Sequence, residues 1–250
     1  MDIRKKALVT GASRGIGKGI ALAFAEAGYD LTICHWNDED NAKECARQIR
    51  EEWGRECFVL SADLAEADAA VPIVVKAWAR MGHIDVIVNN AGICIFQDTV
   101  DLTVPETDKL FRVNFRAPLL LMREVARLMI GTGIRGSLLN ITSSRAERAY
   151  PKDAVYGGLK AGLKRASESV ALDLAPHGIR VNCIAPGATL VRANRAVQER
   201  LGPRIPLGRM AMPADIGQAA VWLASEQASY TTGIQLRIDG GLILPGTPET

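Results

Sequence analysis

The stretch ALVTGASRGIGKGIALAFAEA, Ala7 to Ala27, decides the fold. Ala7 to Thr10 reads as a short buried strand, Gly11 to Gly17 as a glycine-rich turn, and the remainder as a helix. The glycines at 11, 15 and 17 depart from the common G-x-G-x-x-G spacing, yet they serve the same physics. They allow a tight turn and a close backbone approach, while the helix start offers free N–H groups to a pyrophosphate.

Outward from that unit the pattern repeats. Further strands are expected at Asp30–Cys34, Phe58–Ser61, Asp85–Asn89, Ser137–Thr142, Arg180–Ile184 and Gln235–Ile238. Helices are expected at Asp38–Trp53, Leu110–Ile130, Val155–Ala175 and Asp215–Ser225, with Pro118 kinking the second of these. Strands alternating with helices from end to end predict an α/β doubly wound parallel sheet with helices on both faces, built as one domain over 1–250. Ligands of such sheets sit at the carboxyl ends of the strands.

Composition narrows the function classes. With 30 Lys and Arg against 28 Asp and Glu, the net charge of +2 points to no nucleic-acid or other polyanion partner. Apolar runs are interrupted well short of ~18 residues, so no membrane partner is expected. Met1 to Lys6 leads directly into a strand, with no signal peptide expected. Five cysteines without a C-x-x-C read as free thiols of a cytoplasmic protein. No metal site is expected, because His35, His83 and His177 are scattered.

The chemistry is carried by NITSSRAERAYPKDAVYGGLKA, Asn140 to Ala161. Tyr156 and Lys160 are four residues apart at a helix start, on one face. A free tyrosine ionises near pH ~10. An ammonium ~4–5 Å away, at an effective dielectric of ~20, would lower that by roughly 2–3 units. Ser143, thirteen residues before Tyr156 and at a strand end, can face the same crevice. Gly157 and Gly158 between the pair should each cost ~1 kcal/mol in a helix, which points to a close neighbour or to early-turn fraying.

Together with TGASRGIG at Thr10–Gly17 and NNAG at Asn89–Gly92, this segment resembles the short-chain dehydrogenase/reductase family over about Lys6 to Leu244. The resemblance implies a single-domain Rossmann fold and hydride transfer between a nicotinamide cofactor and a secondary alcohol or carbonyl. It implies Tyr156 as proton exchanger, Ser143 as hydrogen-bond partner of the substrate oxygen, Lys160 as support for both tyrosine and ribose, and Asn114 as part of a proton relay. For the cofactor it implies Gly11, Ser13, Arg14, Gly15, Ile16 and Gly17 at the pyrophosphate, and His35 and Trp36 at the adenosine ribose. Asp63 and Leu64 fall at adenine, Asn89, Asn90, Ala91 and Gly92 along adenosine and ribose, and Pro186, Gly187 and Thr189 with Tyr156 and Lys160 at nicotinamide ribose and carboxamide. Val191 stands where members usually place a threonine hydroxyl. Residues at about 188–209 resemble the family's substrate lid.

NADP(H) is expected over NAD(H), because Arg14 can meet a 2′-phosphate while Asp38 is read as a cap of the following helix. The polar loop Arg145 to Arg148 favours a small polar alcohol or carbonyl, such as a sugar. The stretch from Arg204 to Gly241 is especially similar to bacterial glucose 1-dehydrogenases and, less closely, to 3-oxoacyl-carrier-protein reductases. The latter is the alternative function, with Arg123, Arg127, Lys164 and Arg165 for an acidic carrier; a non-catalytic dinucleotide-sensing protein is the third. Apolar runs at Pro118–Met122 and Val170–Leu174 are expected to serve a homotetramer, or else a dimer.

Overall fold

The computed structural model describes residues 4–192 and 195–244. Seven strands, β1 (Lys6–Thr10), β2 (Asp30–His35), β3 (Cys57–Ser61), β4 (Val86–Asn89), β5 (Ser137–Ile141), β6 (Arg180–Pro186) and β7 (Gln235–Ile238), form one sheet in the order β3-β2-β1-β4-β5-β6-β7. Every pairing is parallel. Strand order reverses direction between β1 and β4, so the connections leaving their carboxyl ends run to opposite sides and leave a crevice. No helix among the described residues is long and apolar enough to cross a membrane.

The helices divide between the faces because each carries one apolar stripe. On one face α1 (Gly15–Glu26), α2 (Glu39–Trp53) and α8 (Pro213–Ala224) bury Ile20, Phe24, Ile49, Ile216 and Leu223 against the sheet. On the other, α3 (Ala70–Met81), α5 (Ala117–Thr132) and α6 (Ala154–Leu174) bury Ile73, Leu121, Val125, Met129 and Leu174. Two short helices, α4 (Val104–Phe111) and α7 (Arg195–Leu201), complete the chain. Helix α3 has no counterpart among the helices expected from sequence, although Ile73, Val74, Ala77 and Met81 supply a helical stripe.

Two expectations need correction. The helix over Leu110–Ile130 is not one helix kinked at Pro118: a π turn at Arg112–Arg116 separates α4 from α5, and Pro118 sits in the first turn of α5. The flanking residues all keep right-handed helical dihedrals, so the π turn is an irregularity within a continuous helical run, of the kind that accommodates a proline's missing N–H. The run Pro118–Met122 is largely consumed by the protein's own core, with Pro118, Leu121 and Met122 buried. In the second run Leu172 faces outward, 78% exposed, while Ala171 and Leu174 are buried. Part of the expected lid at 188–209 falls on 193 and 194, outside the described residues; within the rest, 195–201 form α7 and Gly202–Arg204 a short 3-10 turn.

Candidate active site

A cavity of about 490 Å³ opens at the β1/β4 switch point. Gly11, Ser13, Arg14, Gly15, Ile16 and Gly17 form its floor, and His35 and Trp36 form one end with Asp63 and Leu64. Asn90, Ala91 and Gly92 form the opposite wall. The turn cannot be built from other residues. Gly11 has φ +63°, and a Cβ there would lie 2.8 Å from Ala91 Cα. A Cβ on Gly17 would lie 2.1 Å from the Gly11 carbonyl oxygen. Asn90 Nδ2 locks the arrangement by donating to the carbonyls of Thr10 (2.9 Å) and Gly11 (3.0 Å). The first turn of α1 carries no acidic side chain and no side-chain cap, so its N–H groups are left for an anion. These residues fit a dinucleotide. Asn89 does not line the cavity as the resemblance implied; it is buried, and its Nδ2 donates to Asn140 Oδ1 at 2.9 Å. Asn140 in turn donates to Ser167 Oγ at 2.8 Å, which ties β4 to β5 and α6.

Asp38 also lines this cavity; it stands at the N-cap position of α2, as expected from sequence, but its side chain makes no capping hydrogen bond. The chain leaves β2 through Asn37 in the left-handed region (φ 49°), a conformation that asparagine tolerates. That turn aims the Asp38 carboxylate back at the glycine turn, where it accepts from Ser13 Oγ (2.7 Å) and pairs with Arg14 Nη1 (3.0 Å). Asn41 Nδ2 donates to its other oxygen at 2.7 Å. The Ser13 and Asn41 hydrogen bonds, foremost, hold its carboxyl below the usual carboxylate range.

The catalytic candidates converge at the far end. Tyr156 and Lys160 occupy the first two turns of α6, where Asp153 caps the helix by accepting from Gly157 N at 3.2 Å. Lys160 is buried and donates from Nζ to the Ile141 carbonyl at 2.8 Å. Asn114, fully buried in the π turn, donates to the carbonyls of Ile93 (2.9 Å) and Leu110 (3.1 Å) and accepts from Ile93 N (3.3 Å). A Cβ on Gly92 would lie 2.8 Å from Asn114 Oδ1 and 3.5 Å from Lys160 Nζ, so the cavity's end abuts both groups. Of the glycines beside Tyr156, only Gly157 has a close neighbour: a Cβ there would lie 3.1 Å from the Arg145 carbonyl oxygen, whereas Gly158 faces open space.

The electrostatics differ from the simple ion-pair expectation. Burial pushes the Tyr156 phenol above its ordinary value, the adjacent Cys94 thiol adds to this, and the hydrogen bond with Ser143 opposes it. Burial likewise pulls Lys160 down to about 8. Its Nζ lies 5.8 Å from the Tyr156 ring centre, and in the chain alone desolvation outweighs the ammonium's field. Pro186, Gly187 and Thr189 stand at the end of β6, with the Thr189 hydroxyl donating to the Gly187 carbonyl at 3.1 Å. From this loop it is Val191 that lines the cavity, within van der Waals reach of Gly15. Ile93, Lys109 and Val113, the last beside Asn114 in sequence, also line it.

A family model described as enoyl-(acyl carrier protein) reductase matches residues 11–243. The chain belongs to the short-chain dehydrogenase/reductase family. An L-rhamnose 1-dehydrogenase (NAD(P)(+)) of Sphingomonas is 35% identical, over 95% of this chain and 96% of its own length. A 3-oxoacyl-[acyl-carrier-protein] reductase of Staphylococcus epidermidis is 32% identical, over 97% of this chain and 100% of its own. The crystal structure of the acetoin dehydrogenase YohF from Salmonella typhimurium superposes with a TM-score of 0.92 at 33% identity, covering 99% of each chain. As a short-chain dehydrogenase/reductase, the protein is an NAD(P)-dependent oxidoreductase.

Proposed function

We propose that the protein interconverts a secondary alcohol and a carbonyl on a small polar compound, such as a sugar or hydroxyketone. The observation that carries this reading is the convergence of Tyr156, Ser143, Lys160 and Asn114 just beyond Gly92, at the end of the glycine-turn cavity. The nicotinamide, when bound, supplies or accepts the hydride. The protein manages a proton. Tyr156 gives it to the developing alkoxide, and the Ser143 hydroxyl donates a hydrogen bond to that same oxygen. Lys160, fixed on Ile141 by one N–H, keeps donors for a ribose, and Asn114 holds the water route by which Tyr156 is reprotonated.

Turnover of a panel of sugars, polyols, hydroxyketones and short acyl thioesters, followed by nicotinamide absorbance, tests the reading. Activity confined to acyl thioesters would replace it with the carrier-protein alternative. That alternative has less support, because Arg123 already pairs with Glu124 (2.7 Å) and Arg165 with Glu168 (3.7 Å).

At the ribose end, the placement of Asp38 supports NAD(H) rather than the NADP(H) expected from sequence. An ionised Asp38 faces the cavity and already engages Arg14, so a 2′-phosphate meets a carboxylate before it meets a cation. We therefore infer that NAD(H) binds better than NADP(H). Asp38→Asn is expected to raise NADP(H) affinity about ten- to a hundredfold and to weaken NAD(H), in keeping with charge-assisted hydrogen bonds of ~1.5–3 kcal/mol. Titration of both cofactors checks this, and a wild-type preference for NADP(H) would reverse it.

Self-association, as a homotetramer or else a dimer, also belongs to this proposal. Its support is now the outward apolar surface at Leu172 and at Tyr230, which is fully exposed. Sedimentation at micromolar concentration is expected to show no monomer; a monomeric species would remove the assembly from the proposal.

A further inference from the structure

Beside Tyr156 lies a cluster that the proposed reaction does not use. Phe96 stands on the irregular loop after β4 and is 46% exposed. Such a side chain on an unpaired loop would ordinarily sample several rotamers. Here it is held from two sides. Its ring meets the Tyr156 ring edge-on, with centroids 5.9 Å apart and planes at 81°. The Arg145 guanidinium lies over it, 4.7 Å from the ring centre. The same guanidinium lies 4.5 Å from the ring centre of Tyr150, so two aromatics engage one cation. Its Nη1 is anchored on Asp153 Oδ2 at 3.0 Å, the buried carboxylate that caps the catalytic helix. The backbone is latched in the same place, where Gln97 N donates to the Lys152 carbonyl at 3.0 Å and Lys152 pairs with Asp98 at 2.8 Å.

We propose that Arg145 is a specificity-determining residue: bound to Phe96, Tyr150 and Asp153, it fixes Phe96 as a rigid wall beside Tyr156 and confines the site to small carbonyl compounds. This rests on Tyr156 being the proton donor. Because Arg145 and Ser143 share one turn, and Asp153 and Tyr156 another, the wall is built from the segments that carry the reacting groups. A substrate whose carbonyl carries a methyl or hydroxymethyl group passes, and one carrying a phenyl group collides with Phe96. An arginine is suited to this place because its planar guanidinium can stack on rings while bonding a carboxylate in its own plane, whereas an ammonium cannot do both.

The test compares 2,3-butanedione with 1-phenyl-1,2-propanedione, in which a phenyl replaces one methyl. Wild type, Arg145→Met, Arg145→Lys and Phe96→Ala are assayed with each nicotinamide cofactor. Arg145→Met and Phe96→Ala are expected to raise the phenyl-to-methyl ratio of kcat/KM about tenfold or more, as loss of a stacked, partly desolvated wall implies. For Arg145→Met the KM for 2,3-butanedione is expected to rise while kcat stays within about threefold, the sign of lost positioning rather than lost chemistry. Arg145→Lys, which keeps the charge, is expected to follow Met in the ratio. Cofactor affinity should not move in any variant. Phe96→Ala leaves Asp153 untouched, so it decides the matter even if an Arg145 variant does not fold. A ratio unchanged in Phe96→Ala and in folded Arg145 variants, with wild-type turnover intact, overturns this inference alone. Wild type inactive on both diones but active on a sugar or hydroxyketone overturns this inference alone, whereas inactivity on that panel as well overturns the proposed reaction and this inference with it.

Discussion

Tyr156→Phe is expected to lower turnover by ~10²–10⁴-fold, the range that acid–base assistance supplies. The substitution removes one oxygen and leaves the ring, so the edge-on contact with Phe96 and the fold of α6 should persist. Cofactor affinity is expected to stay within about threefold, since the cavity floor is built from the glycine turn rather than from α6. The measurement is kcat beside a cofactor titration on the same preparation. Retention of more than about a tenth of the rate would exclude Tyr156 as the proton donor. An equal loss in Ser143→Ala would not distinguish roles, but the pH profile would: only Tyr156 titrates.

Lys160→Met should damage both functions assigned to that residue, and it carries a pH signature in stability as well. The lost ribose contact is expected to weaken cofactor binding about tenfold or more. If affinity is unchanged, the ribose assignment is wrong. For stability, burial holds Lys160 near 8 in the folded chain against an ordinary value of ~10.4. Below the lower value both states are protonated and the penalty for burying the ammonium is complete. Between the two values the unfolded chain holds a proton that the folded chain has released, so stability rises with pH. Cofactor-free wild type is therefore expected to gain about 2 kcal/mol on Lys160→Met between roughly pH 7.5 and 10. Taking the difference between the two proteins cancels the buried thiols of Cys34, Cys45 and Cys57, which titrate in the opposite sense and do not interact with Lys160. A flat difference across that range would mean that Lys160 is not desolvated.

What the sequence made legible follows from how local each signal is. The glycine turn declares itself because Gly11 and Gly17 have no room for a Cβ, and a strand before and helix after them are enough to place it. Tyr156 and Lys160 are fixed by one helical turn. Asp38 was illegible because its role depends on a single left-handed residue, Asn37, which turns a helix-start carboxylate toward a loop more than twenty residues earlier. The irregularity at Asn114 was misplaced for a related reason. A proline is visible in sequence, whereas the Asn114 amide bonding to the Ile93 and Leu110 carbonyls, within the π turn, is a tertiary contact. Phe96 and Arg145 lie forty-nine residues apart and carry no shared pattern; only the fold sets them face to face.

The chain of amides from Asn89 through Asn140 to Ser167 bears on how the sheet finds its alignment. Central parallel strands are apolar on both faces, so hydrophobicity alone scarcely penalises β4 sliding along β5 by two residues. In the native alignment Asn89 stands opposite Asn140, and each amide finds the other within the core. A slip by two residues separates them and strands two polar groups among Leu138, Ile87 and Met122, where no water competes to satisfy them. The pair thus acts as a registration mark, rejecting misaligned sheets that an all-aliphatic β4 and β5 would tolerate. It also sets β4 and β5 at the one offset that brings Gly92 and Ser143 to the same edge.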